Sequence, residues 1–413
     1  MREIFTLEDI EAVLVKVTTQ TTSGMLADMT LDRVRCLAEA AGSPQERLQV
    51  VHVAGTSGKT STAHMTAYLL RRAGKNVGLT VSPGVVDMRE WVQLSDELLN
   101  EEEFARYFAE YHVAVSDIDF TPTRFEYLMV FALWVFDKVG VDYAVVETGL
   151  GGTVDASNIC RRADKLCVIT DIGFDHVGLL GDTLGKIAAH KAGIIASGNT
   201  VVMHEQVSEV MDVFRKTSAA QHARLIEVQS DRSELFMRRN ARLSFAAYCV
   251  LAERDGLPSL DENTIVDQVA TIPIPGRLQY IDYRGARVLL DGAHNQQKMQ
   301  ALASTLRVLY PDVRWSAVYA MKDDKDYAAT ISEITPLLER VVVAPLHQSR
   351  GDMKIEGVPP AELAAEFGRQ NVVAEIAPSV ADGLDKLVGK NESPIIVTGS
   401  LYAVAEVLKT SIV

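Results

Sequence analysis

Runs of apolar, β-branched residues alternate along this chain with stretches of helical period. The first clear unit is an apolar run over residues 49–54, a Gly/Ser/Thr loop, and a helical pattern that ends in Arg71-Arg72-Ala73-Gly74. This reads as strand, loop and helix, with Gly74 as the C-cap after basic last-turn residues. A short strand is expected at residues 77–81, ending at Ser82-Pro83, and further strands at residues 141–147 and 165–172, each separated by helical stretches. Alternation of this kind predicts a parallel sheet covered on both faces. The longest apolar run, "YLMVFALWVF" (residues 127–136), is half the length of a membrane span and stops at Asp137, so it predicts a buried helix.

The pattern breaks at "TIPIPGRLQ" (residues 271–279), which carries two prolines and a glycine. Beyond it strands are expected at residues 287–291, 315–320, 340–346 and 394–398, with helical patterns between them. The predicted organisation is α/β throughout: a larger parallel-sheet domain over residues 1–276, followed by a smaller Rossmann-like α/β domain over residues 277–413. A length of 413 residues exceeds one ordinary core and agrees with two domains.

Composition narrows the function. With 47% hydrophobic and 23% charged residues the chain has the make-up of a globular protein without long disorder. A net charge of −14 argues against a broad nucleic-acid surface, since neutralising phosphates along a duplex needs a basic face. Small anionic substrates remain compatible through local basic pockets. Cys36, Cys160, Cys167 and Cys249 match neither a zinc ribbon nor a redox pair, and read as reduced, mostly buried thiols. The start "MREIFTLEDIEAVL" has no basic leader and no small-residue cleavage site. A cytoplasmic monomer with no membrane or nucleic-acid partner is expected.

The chemistry gathers at the expected strand ends. "GTSGKTS" (residues 55–61) lies between a strand and a helix, where successive backbone N–H groups and a helix N-terminus converge on phosphate oxygens. In the general pattern G-x-x-x-x-G-K-[ST] the first glycine would fall at Val53. A tight turn with a surface lysine needs neither the two glycines nor the Lys-Thr pair. "AVVETGLGG" puts Glu147 at a strand tip entering a Gly-rich turn, the place for an acid that holds a metal. "ITDIGFDHVGLLG" puts Asp175 and His176 past another, whereas His52, His64 and His112 read as structural or exposed. Lys191 in "HKAGII" reads, from residues alone, as a last-turn lysine before Gly193. "VLLDGAHN" places Asp291, His294 and Asn295 at a strand end, and "VTGSLYAVAEV" places Gly399 and Ser400 at another; Asp291 and Ser400 read equally as helix N-caps. A GTPase switch would carry an N-K-x-D guanine motif, and the sequence has none.

Together with "LDRVRCLAEAAGSPQERLQVVHVAGTSGKTST", "TRFEYLMVFALWVF", "VVETGLGGTVDASNI", "GFDHVGLLGDTLGKIAAHKAGII", "IPGRLQ" and "AMKDDKD", these motifs make the chain resemble the folylpolyglutamate synthase/dihydrofolate synthase family of the Mur ligase superfamily. The resemblance implies a shorter G-T-x-G-K loop in which the first glycine is not required. It implies Mg²⁺ held by Thr60, Ser82, Glu147 and His176, and a carbamylated Lys191. It assigns ATP to Gly55, Thr56, Ser57, Gly58, Lys59, Thr60 and Ser61, with Asn240 in "RRNARLSF", Arg277 in "PGR", and Asp291 at the ribose or the domain hinge. His294 and Ser400 would line the glutamate side and Asp155 a substrate; Lys59, Lys191 and His294 would be catalytic. The implied reaction adds L-glutamate to a folate or to dihydropteroate, at the expense of ATP, through an acyl phosphate. The chain departs from the family pattern at Ser57, Thr60, Gly84, Trp91, Thr153, His190 and Gln296, and the altered loop at residues 84–91 motivates the alternative of a Mur-type ligase with another carboxylate acceptor, such as a cell-wall precursor.

Overall fold

Strand β1, Val50–Ala54, is buried at every position, as a central strand of a sheet covered on both faces must be. It belongs to a computed structural model that describes residues 6–19, 30–94, 97–229, 231, 233–323, 325–350, 353–389 and 393–411. Residues 1–5 of the N-terminal stretch and Asp324 of "AMKDDKD" lie outside these. The chain divides into two compact units, Met1–Ile272 and Pro273–Val413.

In the first unit β2 (Val77–Thr80), β3 (Gln93–Leu94), β4 (Glu97–Leu98), β5 (Tyr143–Glu147), β6 (Leu166–Ile169), β7 (Thr200–His204) and β8 (Arg224–Val228) join β1 in one sheet of order β4-β3-β2-β5-β1-β6-β7-β8. β1 pairs in parallel with β5 and β6, so their C-terminal tips open side by side. The sheet is mixed where a parallel one was expected, because β2/β3 and β3/β4 are antiparallel. Strands of two residues carry no readable period, which is why the pattern missed them.

The helix Lys59–Arg72 follows β1, and its cap is Ala73; Gly74, one residue further, takes a φ of +80° and donates to Arg71 O at 2.8 Å. The run over residues 127–136 sits in the helix Arg124–Val139, started by a Thr123/Glu126 capping box and stopped by Gly140. Tyr127, Phe131 and Phe136 on it are buried in the core. Of the cysteines expected to be mostly buried, Cys160 and Cys167 are, while Cys36 and Cys249 lie exposed on helices. Among the described residues no helix is long and apolar enough to cross a membrane.

The second unit holds β9 (Gln279–Tyr283), β10 (Ala286–Leu290), β11 (Trp315–Tyr319), β12 (Leu338–Val343), the separate hairpin of β13 (His347–Arg350) and β14 (Met353–Glu356), β15 (Ala374–Ile376) and β16 (Ile395–Thr398). Its main sheet runs β15-β12-β11-β16-β10-β9 and is parallel except where β9 meets β10. Helices such as Gln296–Leu309 and Leu401–Ser411 follow β10 and β16 directly, so the strand tips again carry the loops of interest.

Candidate functional site

At the tip of β1 the chain makes a loop that only glycine allows at two points. Gly55 has φ +149°, and a Cβ there would stand 1.8 Å from Thr170 Oγ1. Gly58 has φ +90°, and its Cβ would stand 2.6 Å from Asn240 Oδ1. Val53, at the position of the absent first glycine, is still inside β1, fully buried and in register with Glu147 and Val168. The loop therefore starts two residues later than the general pattern assumes. Thr56 and Ser57 donate their N–H groups to Asp171 O at 2.8 and 3.2 Å, and Thr56 Oγ1 donates to Gly173 O at 3.0 Å. The helix then begins at Lys59 with no side-chain cap and no acid in its first turn. The first N–H groups of a helix lack intrahelical acceptors and carry the positive end of its dipole, so this end of the helix, which opens on Lys59, is suited to an anion.

Glu147, 2% exposed, ends β5 beside this loop. Its Oε1 accepts from Thr60 Oγ1 at 3.0 Å and its Oε2 from Ser82 N at 3.4 Å. Ser82 Oγ is buried and has no hydrogen-bond partner among the described residues. Two hydroxyls and a carboxylate, one hydroxyl unsatisfied, fit a hard divalent cation that takes oxygen ligands. Among the described residues no group of three or more His, Cys, Asp or Glu could hold a metal by itself, so a cation here would depend on the hydroxyls, phosphate and water. His176 caps the short helix Val177–Leu180 past the tip of β6; its φ is +50°, and its Nε2 lies 3.8 Å from Asp175 Oδ1.

Lys191 corrects the reading of an ordinary last-turn lysine. It does sit at the end of the helix Leu184–Ala192, but it is buried, and its Nζ donates to Gly55 O at 2.8 Å. That bond needs one N–H, which an ammonium and a carbamate nitrogen both possess. Asn240, on the helix Phe236–Asp255, is also buried against the loop, and its Nδ2 has no hydrogen-bond partner among the described residues.

Asp155, expected at a substrate, directs its carboxylate inward. Leu150 N donates to Oδ2 at 2.7 Å, while Ser157 N and Ser157 Oγ donate to Oδ1, so the side chain braces the glycine turn after Glu147. Burial raises its pKa, opposed by these donors. Because Ser157 Oγ donates to Asp155, it accepts from His52 Nε2 at 2.8 Å, and Thr148 Oγ1 lies 3.0 Å from the same nitrogen. His52 is fully buried, and burial holds its pKa well below 6.5, with Lys165 and Arg161 adding to the effect.

Sequence reasoning missed Asp171 and Arg239. The Arg239 guanidinium forks onto the Asp171 carboxylate, both bonds 2.9 Å, and Arg239 O accepts from His204 Nε2 at 3.0 Å. The signal was present: Asp171 lies two residues past the end of β6, and Arg239 precedes Asn240 in "RRN".

In the second unit Asp291 lies at the tip of β10, buried, its oxygens accepting from Leu278 N at 3.0 Å and Ala293 N at 2.9 Å. Burial raises its pKa, opposed first by Arg277. It is not the N-cap; Asn295 is, accepting from Lys298 N. His294 Nδ1 lies 2.7 Å from Gly292 O, which can only accept, so Nδ1 carries the proton and Nε2 accepts from Lys298 Nζ at 3.0 Å. Ser400 Oγ accepts from Tyr402 N at 3.1 Å at the start of its helix.

Comparison with known proteins adds an independent line. The family profile described as Mur ligase middle domain matches residues 53–248, and that described as Dihydrofolate synthetase, C-terminal domain, matches residues 276–410. The chain is 31% identical over 399 residues to the dihydrofolate synthase/folylpolyglutamate synthase of Escherichia coli (strain K12), covering 92% of this chain and 91% of that protein. The Bacillus subtilis (strain 168) protein of the same name is 27% identical over 415 residues, covering 92% and 94%. The structure of E. coli FolC in complex with DHPP and ADP superposes with a TM-score of 0.83 at 28% identity, over 98% of this chain and 97% of that one.

Proposed function

The chain belongs to the folylpolyglutamate synthase/dihydrofolate synthase family, and from that premise we propose that it is an ATP-dependent ligase joining L-glutamate to a folate, as folylpolyglutamate synthase or dihydrofolate synthase. The observation that carries this reading is the Thr60–Glu147–Ser82 group beside the Gly55–Lys59 loop, a cation site touching a phosphate site. The acceptor carboxylate oxygen attacks the γ-phosphorus of ATP, and the bond to the β,γ-bridging oxygen breaks, leaving ADP and an acyl phosphate. The glutamate amine then attacks the acyl carbon, loses a proton, and expels inorganic phosphate as the amide forms.

Each residue has a place in this scheme. The loop N–H groups and Lys59 balance charge on the transferring phosphoryl group, a positional and electrostatic contribution. Mg²⁺ would be held by Thr60, Ser82, Glu147 and His176 and would add charge neutralisation there. Lys191, as a carbamate, would bring a carboxylate to the same centre while its nitrogen keeps the bond to Gly55 O. Asn240, Arg277 and Asp291 serve the nucleotide. His294 and Ser400 serve glutamate; the Nε2 lone pair of His294, which accepts from Lys298 in this structure, would have to exchange that bond for the proton that the amine loses. Asp155 acts on the acceptor side through the turn it braces. The proposal places the protein in the cytoplasm as a monomer, with no nucleic-acid or membrane partner.

The test is phosphate release by the purified protein with ATP, glutamate and, in separate runs, tetrahydrofolate or dihydropteroate. Turnover with either supports the proposal and identifies the acceptor. Silence with every pteridine, together with turnover on another carboxylated acceptor, refutes the folate assignment.

A further inference from the structure

Arg239 and Asn240 are neighbours on one helix, yet their side chains reach two different segments around the phosphate loop. Asn240 Oδ1 stands 2.6 Å from where a Cβ of Gly58 would be. Arg239 instead makes a two-pronged ion pair with Asp171, the residue whose carbonyl accepts from Thr56 N and Ser57 N. The contacts close a ring: Gly58 to Asn240, along the backbone to Arg239, across to Asp171, and back to Thr56 and Ser57. The ring is tied down from outside as well. His204, 1% exposed at the tip of β7, bonds Arg239 O through Nε2. Gln206 bonds Ile172 N and Thr170 O on either side of Asp171. Ser244 Oγ, one turn beyond Asn240, donates to Thr62 O of the helix that the loop opens.

We infer that Arg239 is a positioning residue for the nucleotide: through Asp171 it sets the width of the phosphate loop and couples the loop to Asn240. A planar fork on a carboxylate fixes both distance and orientation, which a single point charge does not. The carboxylate of Asp171 bonds Arg239, while its carbonyl bonds the loop. The ion pair therefore acts by fixing the backbone of residue 171, and Arg239 acts through it.

The inference rests on the nucleotide reading above, so its test is built to fail separately. ADP affinity is measured by titration calorimetry on the full chain for the parent, Asp171→Asn, Arg239→Gln and the double variant, alongside the KM for ATP and for glutamate. Asp171→Asn is nearly isosteric, keeps the carbonyl, and guards against a folding artefact at Arg239. Each single variant should weaken ADP binding and raise KM for ATP by roughly tenfold, leave KM for glutamate unchanged, and the double variant should be no worse than either, because all three break the same link. Additive losses would mean that Arg239 meets the nucleotide on its own account, and lower melting temperature with unchanged ADP affinity would mean a purely structural pair; either result overturns the inference. A parent protein that binds no ADP would instead refute the ligase proposal.

Discussion

Replacing Gly58 by alanine should weaken nucleotide binding, which the same change at Gly74, at the other end of the helix, should not do. The backbone there has φ +90° and ψ −7°, a left-handed conformation that costs an ordinary L-residue about 1–2 kcal/mol. The new Cβ would lie 2.6 Å from Asn240 Oδ1 and 3.2 Å from its Cγ, so the amide must swing aside. Both strains vanish if the loop relaxes out of its binding shape, and restoring that shape for the ligand then costs the same about 1–2 kcal/mol, or about 5- to 30-fold in the dissociation constant for ADP. Whatever strain the loop keeps instead of relaxing shows as lost stability, at most roughly 2–8 °C of melting temperature at about 2–4 °C per kcal/mol for a unit of this size. Gly74 supplies the control at the other end of the same helix: its φ is +80°, but a Cβ there meets nothing within 4 Å. Gly74→Ala should therefore cost similar stability and leave ADP affinity intact. Calorimetric titration with ADP and thermal melts on both variants decide the matter. Equal affinity losses in the two variants, or parental affinity in Gly58→Ala, would refute the argument that Asn240 and the loop shape each other.

Two further outcomes follow from the same geometry. Glu147→Gln keeps an oxygen for Thr60 Oγ1 but presents an amide donor where Ser82 N now donates, so turnover should fall by about 10²–10³ with circular dichroism unchanged, and a loss under tenfold would count against the cation site. Burial holds His52 neutral well below pH 6.5 in the folded protein, while the unfolded chain takes up a proton near 6.5. Its contribution is then fully present above pH 6.5 and is lost as pH falls, with a slope of at most about 1.4 kcal/mol per pH unit. His52→Gln should flatten the pH dependence of urea melts between pH 6.5 and 5.5 by up to that amount. His204 and His112, also lowered by burial, leave a residual slope, and an unflattened curve would show that His52 is not protected in this way.

What the sequence made legible is local. β1, the loop and the Lys59–Arg72 helix are contiguous, so a run, two glycines and a change of period disclose them together. Glu147 was legible because a strand that ends on an acid and enters a glycine turn has few other reasons to do so. Lys191 was not, since its meaning lies in a bond to a carbonyl 136 positions away. The pair of Asp171 and Arg239, 68 positions apart, was hidden for the same reason. Asp291 was open to a helix-cap reading because its distance from the helix start cannot be judged without coordinates; four residues on, Asn295 takes that role.

The glycines show how the two kinds of information combine. Their positions can be read as a motif, but the cause of each is a distant neighbour: Thr170, from the tip of β6, presses on Gly55, and Asn240, from a helix that follows β8, presses on Gly58. Val53 already carries a side chain, and β1 still runs in register with β5 and β6 there. A glycine at residue 53 would only weaken the central strand, by roughly 0.5–1 kcal/mol relative to alanine. The residue missing from the general phosphate-loop pattern is thus missing for a reason of register. The loop begins where pairing stops, and in this sheet pairing continues through Ala54, which faces Ile169.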